Sequence, residues 1–456
     1  MHHFRFALRM SLDAIGIVRT LCLFPACMAW VLLKKCLAFI GVARRTREDS
    51  DYAECLSDVA KKGMRVLFTP SENNAGSGAF RCMVELASLL RSRHGVEPLI
   101  VLPYEGTGTQ LLEEEGLPHV TIRSNGWTIP IGTEMRNWRN AKRMVLDMLR
   151  NFRSVSKLRE LIRQYNVDVV HVNTTWTYVG ALAAKVEGIS CVWHLREHLE
   201  EGLNRTMWSR PVGNHLIASS AKVVAISKCI ADKYRDIVPE SKLVTIYDGV
   251  DEKRFLRPGH EIMGVKPYTF VFLGNFNRHK GQIEFSMACA KLHEEGVRDF
   301  RIWFVGGGDP DVRVECETIF TQACMQDLVT YYGFQKNPEN YLEKADVAFT
   351  CSRYEGWGRV TAEAMMAGCL AVGSDTGATP ELIENGVSGL LFHYEPGRCD
   401  SLAETIRTVL SDSRRCQKMA EIGRRRAISE MTSTLNADKV FSIYTAICKC
   451  DNSTQG

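Results

Sequence analysis

The sequence predicts an α/β protein of two domains, each a parallel sheet with helices on both faces, behind a short membrane-associating extension. Three observations carry this. From Met64 onward, short apolar runs alternate with longer amphipathic ones, the pattern of repeated strand–helix units. The short runs are continuously apolar, as strands buried on both faces must be. The pattern restarts at Tyr268 after a break containing Pro258 and Gly259, which sets a boundary mid-chain.

Composition fits this class. The chain has 456 residues, enough for two domains and an appendage, and is 45% hydrophobic and 24% charged. A net charge of +4 gives no electrostatic footprint for nucleic acid. The 16 cysteines are scattered, with no paired zinc spacing, and read as small buried hydrophobes in a reducing cytoplasm.

The first fifty residues stand apart. Eight are basic (Arg5, Arg9, Arg19, Lys34, Lys35, Arg44, Arg45, Arg47) against three acids, and fourteen uncharged residues lie between Arg19 and Lys34. That run is shorter than the roughly 20 residues of a spanning helix. The favoured reading is a hairpin or amphipathic helix in the interface of an anionic membrane surface; a single span and an extra packed helix are the alternatives. Residues 1–60 are therefore an extension and linker, and the protein is expected in the cytoplasm, peripheral to the inner face of the cell membrane.

The first domain, residues 61–257, offers strands near 65–69, 98–103, 120–123, 167–173, 191–195, 222–227 and 243–247. A Gly-rich loop over 73–78 opens a helix over 79–93, a place where free N–H groups suit a phosphate. It lacks G-x-G-x-x-G spacing, which argues against dinucleotide binding. Residues 136–165 read as a long helix, or two. Nine Arg and Lys there meet two acids, so this is either a solvated basic face or a second membrane-touching surface. His194, Glu197 and His198 match H-x-x-E-H, but His194 ends a strand-like run, so the two histidines do not share a helical face and zinc is disfavoured.

The second domain, residues 258–430, offers strands near 268–274, 300–306, 329–334, 347–352 and 369–374. Residues 275–281 turn into a helix and carry Arg278 and Lys280. Asp309 and Asp311 form a D-x-D beside Pro310, a common turn composition, so no metal is assigned. The basic helix near 414–426 is expected to be solvated. Residues 431–456 hold a last helix.

The second domain is organised around residues 354–377, Y-E-G-W-G-R-V-T-A-E-A-M-M-A-G-C-L-A-V-G-S-D-T-G. A Gly-rich loop opens a helix ended by Gly368, and a buried strand follows. The helix start suits a diphosphate. Glu355 and Glu363 bracket it, and carboxylates there suit neutral hydroxyls, a ribose and a sugar ring.

This stretch resembles the donor signature of the GT-B-fold retaining glycosyltransferases of family 4, E-G-F-G-x-x-x-x-E-A-M-A-x-G, with Trp357 in place of Phe. The resemblance implies two Rossmann-like domains facing a cleft, with the last helix crossing back onto the first domain. It implies transfer of a hexose from a nucleotide sugar to a glycan or polyprenyl-linked acceptor in surface polysaccharide synthesis, with no cofactor and no required metal. Glu355, Lys280, His194 and Glu197 are the expected catalytic residues. Gly76, Gly78, Arg278, Lys280, Phe334, Glu355, Gly356, Gly358, Arg359 and Glu363 are the expected donor-binding ones. The family's usual Gly-Arg reads Gly274-Asn275 here, so Arg278 is the candidate replacement cation. A sugar-nucleotide epimerase of the same fold and a non-catalytic partner subunit are the alternatives.

Overall fold

The computed structural model describes residues 63–134, 137–256 and 262–453. The extension expected over residues 1–60 and the boundary expected near residue 257 lie outside them. Among the described residues no helix is long and apolar enough to cross a membrane.

Two parallel sheets dominate. The first uses β1 (Arg65–Pro70), β2 (Glu97–Leu102), β3 (His119–Thr121), β5 (Val169–Asn173), β6 (Ser190–Leu195), β8 (Lys222–Ala225) and β9 (Leu243–Thr245). Its order is β3-β2-β1-β5-β6-β8-β9. A separate antiparallel pair, β4 (Thr128–Pro130) with β7 (Arg205–Met207), was not expected. The second sheet uses β10 (Tyr268–Leu273), β11 (Phe300–Val305), β12 (Val329–Gly333), β13 (Val347–Thr350), β14 (Leu370–Ser374) and β15 (Leu390–Phe392). Its order is β12-β11-β10-β13-β14-β15.

Burial explains the unbroken apolar runs. Along β1, Val66 and Phe68 enter one core with Phe80, Leu86 and Tyr444. Leu67, between them, enters the opposite core with Val155, Leu158 and Ile162. Both sheet faces are covered, so the strands are mainly apolar, and the polar side chains they do carry, Thr69, His171, Asn173 and His194, are buried with them. In the second sheet Phe270 and Phe272 face one core while Val271 faces the other. That other core is continuous with the first domain's, so the halves share apolar packing as well as a cleft.

Of the two basic helices, the first fits the reading of one long helix or two, and the second departs from its expectation. The long basic one is a single helix, Trp138–Tyr165, capped by Asn137. The C-terminal basic helix, Ser413–Glu430, is not simply solvated: Cys416, Met419, Ala420, Gly423 and Ala427 are buried. They recur at helical spacing, so one apolar stripe packs inward while the arginines sit outside it. The last helix, Ser433–Ser453, returns to the first domain. Asp438 pairs with Arg93 at 3.0 Å and His94 at 2.7 Å, and the Tyr444 hydroxyl meets His171 Nδ1 at 2.6 Å.

Candidate functional site

The signature stretch folds as strand, loop, helix, strand at the carboxyl edge of the second sheet. Gly358 is the residue before the Arg359–Ala367 helix, with φ +88, a left-handed value that glycine takes without strain. No side chain caps this helix, so its first N–H groups remain for an anion. Gly368 ends it in the left-handed conformation, as its position implies.

Glu355 lies in the loop before the helix. Its Oε1 accepts from Lys280 Nζ and from the Ser352 hydroxyl, each at 2.6 Å. Burial pushes its carboxyl up, but the Lys280 charge, the hydrogen bond from that ammonium and the Ser352 hydroxyl together hold it below the usual value. Glu355 is thus an anion paired to the Lys280 cation. Lys280 keeps 45% of its side chain exposed, so the pair opens to solvent on one side.

One turn into the helix, Glu363 Oε1 accepts from Arg359 Nε at 2.7 Å. Arg359 continues across the cleft. Its Nη2 donates to Glu85 at 3.0 Å and its Nη1 to Cys82 Sγ at 2.9 Å, both on the helix Gly78–His94. The Ser433 hydroxyl also donates to Glu85. Arg359 was expected among the donor groups; its guanidinium is a tie between the halves.

The facing loop holds Gly76 and Gly78. Gly76 N donates to Asn74 Oδ1 at 2.8 Å, and Gly78 opens the helix capped by Ser77. Arg81, one turn on, donates from Nε to the Ala75 carbonyl at 2.6 Å. Burial lowers its pKa, and Arg254 and Arg359 lower it further, so three guanidinium groups converge here. Arg81 was not anticipated, although a cation one turn after a Gly-rich loop is a readable signal.

The loops touch at the base of the cleft. A Cβ on Gly356 would lie 2.9 Å from the Arg196 carbonyl oxygen, so only glycine passes there without a shift. The Tyr354 ring meets His198 edge-on at 4.7 Å. Glu381 accepts from Lys228 N at 2.7 Å and Cys229 N at 2.8 Å, capping a first-domain helix from the second domain.

The side chains of the remaining expected residues have other partners or none in this cluster. His194 is fully buried, with Nδ1 3.2 Å from His171 Nε2; burial, then Arg196 and His171, hold its pKa well below the usual value. Glu197 turns inward and accepts from Thr175 N at 2.6 Å and the Thr175 hydroxyl at 2.5 Å. Arg196 pairs with Asp248 in the interior and donates to Asn173 Oδ1 at 2.5 Å. Arg278 points to Glu315 at 3.1 Å and is 61% exposed. Phe334, just past β12, is 65% exposed. Asp309 caps the helix Pro310–Gln322, accepting from Asp311 N at 3.0 Å, which accounts for the D-x-D. No group of three or more potential metal ligands occurs among the described residues.

Known proteins resemble this chain in sequence and in fold. The model of the glycosyl transferases group 1 matches residues 259–426, and that of glycosyltransferase family 4 matches residues 76–254. Spore coat protein SA of Bacillus subtilis is 29% identical over 306 residues, covering 62% of this chain and 79% of that one. N-acetyl-alpha-D-glucosaminyl L-malate synthase of Bacillus anthracis is 27% identical over 308 residues, covering 64% and 77%. The UDP-Gal:alpha-D-GlcNAc-diphosphoundecaprenol alpha-1,3-galactosyltransferase of Escherichia coli is 22% identical over 317 residues, covering 66% and 80%. In fold, the chain resembles Anabaena HepE, solved with UDP and glucose, at TM-score 0.68 and 21% identity over 84% of this chain and all of that one. The two family models tile both halves and meet at the break between the sheets, and the chain is a glycosyltransferase of the group 1, family 4 type with the GT-B fold.

Proposed function

We propose that the protein transfers a hexose from a nucleotide sugar to a hydroxyl of a glycan or polyprenyl-linked acceptor, with retention of anomeric configuration and no required metal. The observation that carries this is the cluster of Lys280, Glu355, Gly358 and Glu363 around one uncapped helix start. The diphosphate would lie on the first N–H groups of the Arg359–Ala367 helix, with Lys280 opposite. Donor hydroxyls would displace the present partners of the carboxylates, the sugar on Glu355 and the ribose on Glu363.

In the transfer, the bond from the anomeric carbon to the β-phosphate oxygen breaks. A bond to the acceptor oxygen forms on the same face, and the acceptor proton passes to the departing phosphate. Lys280 stabilises the charge that develops there, a role a metal fills in other enzymes. The relatives named for malate and diphosphoundecaprenol acceptors support a hydroxyl acceptor and leave its class open. HepE, with UDP and glucose, supports a UDP-sugar donor, and surface polysaccharide synthesis at the inner membrane face fits both.

The test is thermal stabilisation by UDP-, GDP- and ADP-sugars in EDTA, repeated on Glu363→Ala. Ligand binding to the native state must raise stability. A shift with one donor, lost in the variant, supports the reading; no shift with any donor favours a non-catalytic partner. The configuration of the product, read by NMR coupling at the new anomeric centre, tests retention separately.

A further inference from the structure

The helix Trp138–Tyr165 has two unlike halves. Beyond residue 147 it is anchored, with Met148, Asn151, Val155, Leu158 and Ile162 among its buried residues. Between Trp138 and Asp147 no residue is buried. A helix of under three turns is marginal in water without packing, so this half lacks the support that holds other helices.

What it exposes is patterned. Trp138, Val145, Leu146 and Leu149 are 65%, 45%, 41% and 53% exposed, and Ile131, just before, is 46% exposed. These are five of the fourteen most exposed large apolar side chains among the described residues, within nineteen residues of sequence. Single exposed apolar groups need no explanation, but a contiguous set does. Spacings of four, seven and eleven from Trp138 place Lys142, Val145 and Leu149 on one outward stripe.

Cations frame that stripe. Arg139, Lys142, Arg143, Arg150, Arg153 and Lys157 meet one acid in this span, Asp147, which bridges Arg143 and Arg150. The Arg139 guanidinium and Lys142 ammonium lie 5.9 and 5.7 Å from the Trp138 ring centre, so charge and apolar surface are interleaved. Beside the stripe, Asn125, Arg139, Arg143 and Arg150 wall a hollow of about 460 Å³. Arg123, Arg153 and Lys157 line a neighbouring one of about 300 Å³.

We propose that this face docks on anionic phospholipid. Trp138, Val145 and Leu149 enter the boundary between headgroups and acyl chains, and the cations engage lipid phosphates. The occupant follows from the two chemistries together: a surface anionic at its plane and apolar just beneath it complements an apolar ridge set among six cations. The topology gives the orientation. The helix feeds β5, and its far end lies by the start of β1, where Arg65 Nη1 donates to the Tyr165 carbonyl at 3.2 Å. Trp138 therefore sits at the carboxyl edge of the first sheet, the edge from which the loop of Gly76 and Gly78 projects into the cleft. A docked membrane lies beside the cleft mouth, where a lipid-linked acceptor would arrive. This deepens the acceptor reading above, but lipid binding itself does not depend on transfer.

The test uses the full chain and vesicles of phosphatidylcholine alone or mixed with phosphatidylglycerol. Co-sedimentation should occur with the mixed vesicles and fall with salt. Hydrogen exchange at residues 138–149 should slow when they are added. Reversing Arg139, Lys142 and Arg143 to Glu should weaken partitioning by more than about 100-fold, since loss of the three cations alone costs roughly 5-fold each and the new carboxylates add repulsion. Trp138→Ser with Leu149→Ser should weaken it without changing the salt slope. UDP-sugar stabilisation should be unchanged in both variants, which separates failure here from failure of the donor reading. Unaltered vesicle binding by the charge-reversed variant overturns the proposal. So does exchange at 138–149 that is slow without vesicles and indifferent to them, since residues 1–62 or a second copy would then cover the face.

Discussion

His171 and His198 are neutral bases in the interior, and both bear on acid stability. Burial, then the Arg196 charge, lowers His171 to about 3. Burial lowers His198 to about 4, with Glu201 opposing and Lys233 assisting. An unfolded histidine titrates near 6.5. The folded values lie below the unfolded one, so the unfolded chain binds protons first as the pH falls. Their contribution is intact above pH 6.5 and declines below it, by about 2 kcal/mol per histidine on reaching pH 5. His171→Gln should flatten the melting temperature against pH between 6.5 and 5; a slope equal to that of the parent excludes His171 as a source. Glu355 acts in the same sense at lower pH. Its folded value is depressed, so its stabilisation is present above the usual carboxylate range and lost as the pH falls through the folded value. At neutral pH, if Glu355 acts as proposed, Glu355→Gln should lower kcat about 100-fold by removing the charge paired with Lys280. A kcat within a few-fold of the parent would remove Glu355 from the mechanism.

At the scale of the element, the Arg359–Ala367 helix depends on Gly358. Placing Cβ at φ +88 costs about 1–2 kcal/mol. The added atom would also press on Leu382 Cδ1 at 3.2 Å. Gly358→Ala should therefore lower the melting temperature modestly and abolish donor-dependent stabilisation, because the helix start that receives the anion moves. A normal donor shift in this variant would place the diphosphate elsewhere. This helix was legible in the sequence because each of its determinants is local: glycine before, good formers within, glycine after. The strands were legible for a similar reason, since two-sided burial leaves continuous apolar runs. The elements that were not legible depend on distant partners. β4 and β7 have three residues each and pair across about 75 intervening positions, so neither has a pattern of its own. The Ser413–Glu430 helix hides its buried stripe because small residues serve as its core side, Gly423 lying against the Ser388 carbonyl, while arginines fill the rest. His194 and Glu197 stood at a strand end in the sequence, and a strand end does not say whether a side chain turns to the cleft or to the core.

Across the whole molecule, the cleft is held by groups that the sequence separates by hundreds of positions. Arg359 and Glu85 are 274 residues apart and 3.0 Å apart in space. No local pattern marks that pair, and Arg359 alone reads as a cation awaiting a phosphate. Its position is more constrained than that. Burial would lower the Arg359 pKa, but Cys82, Glu85 and Glu363 outweigh it, and the guanidinium stays charged with a value well above the usual one. Glu85 behaves oppositely, its carboxyl pushed up by burial against the pull of Arg359 and Ser433. Removing the cation therefore leaves two mostly buried carboxylates, Glu85 and Glu363, without the partner they share. Arg359→Leu should cost about 3 kcal/mol, the scale for stranding a partly buried charge. It should also widen the angle between the halves, seen as a larger radius of gyration in solution scattering. If the cost comes from stranding rather than lost packing, Glu85→Gln in the same chain should return part of it. In a double-mutant cycle the two changes would then be less than additive. Additive losses with an unchanged radius of gyration would mean that Arg359 only orders Glu363 within its own helix, and that closure rests on the shared apolar core and the Glu381 cap.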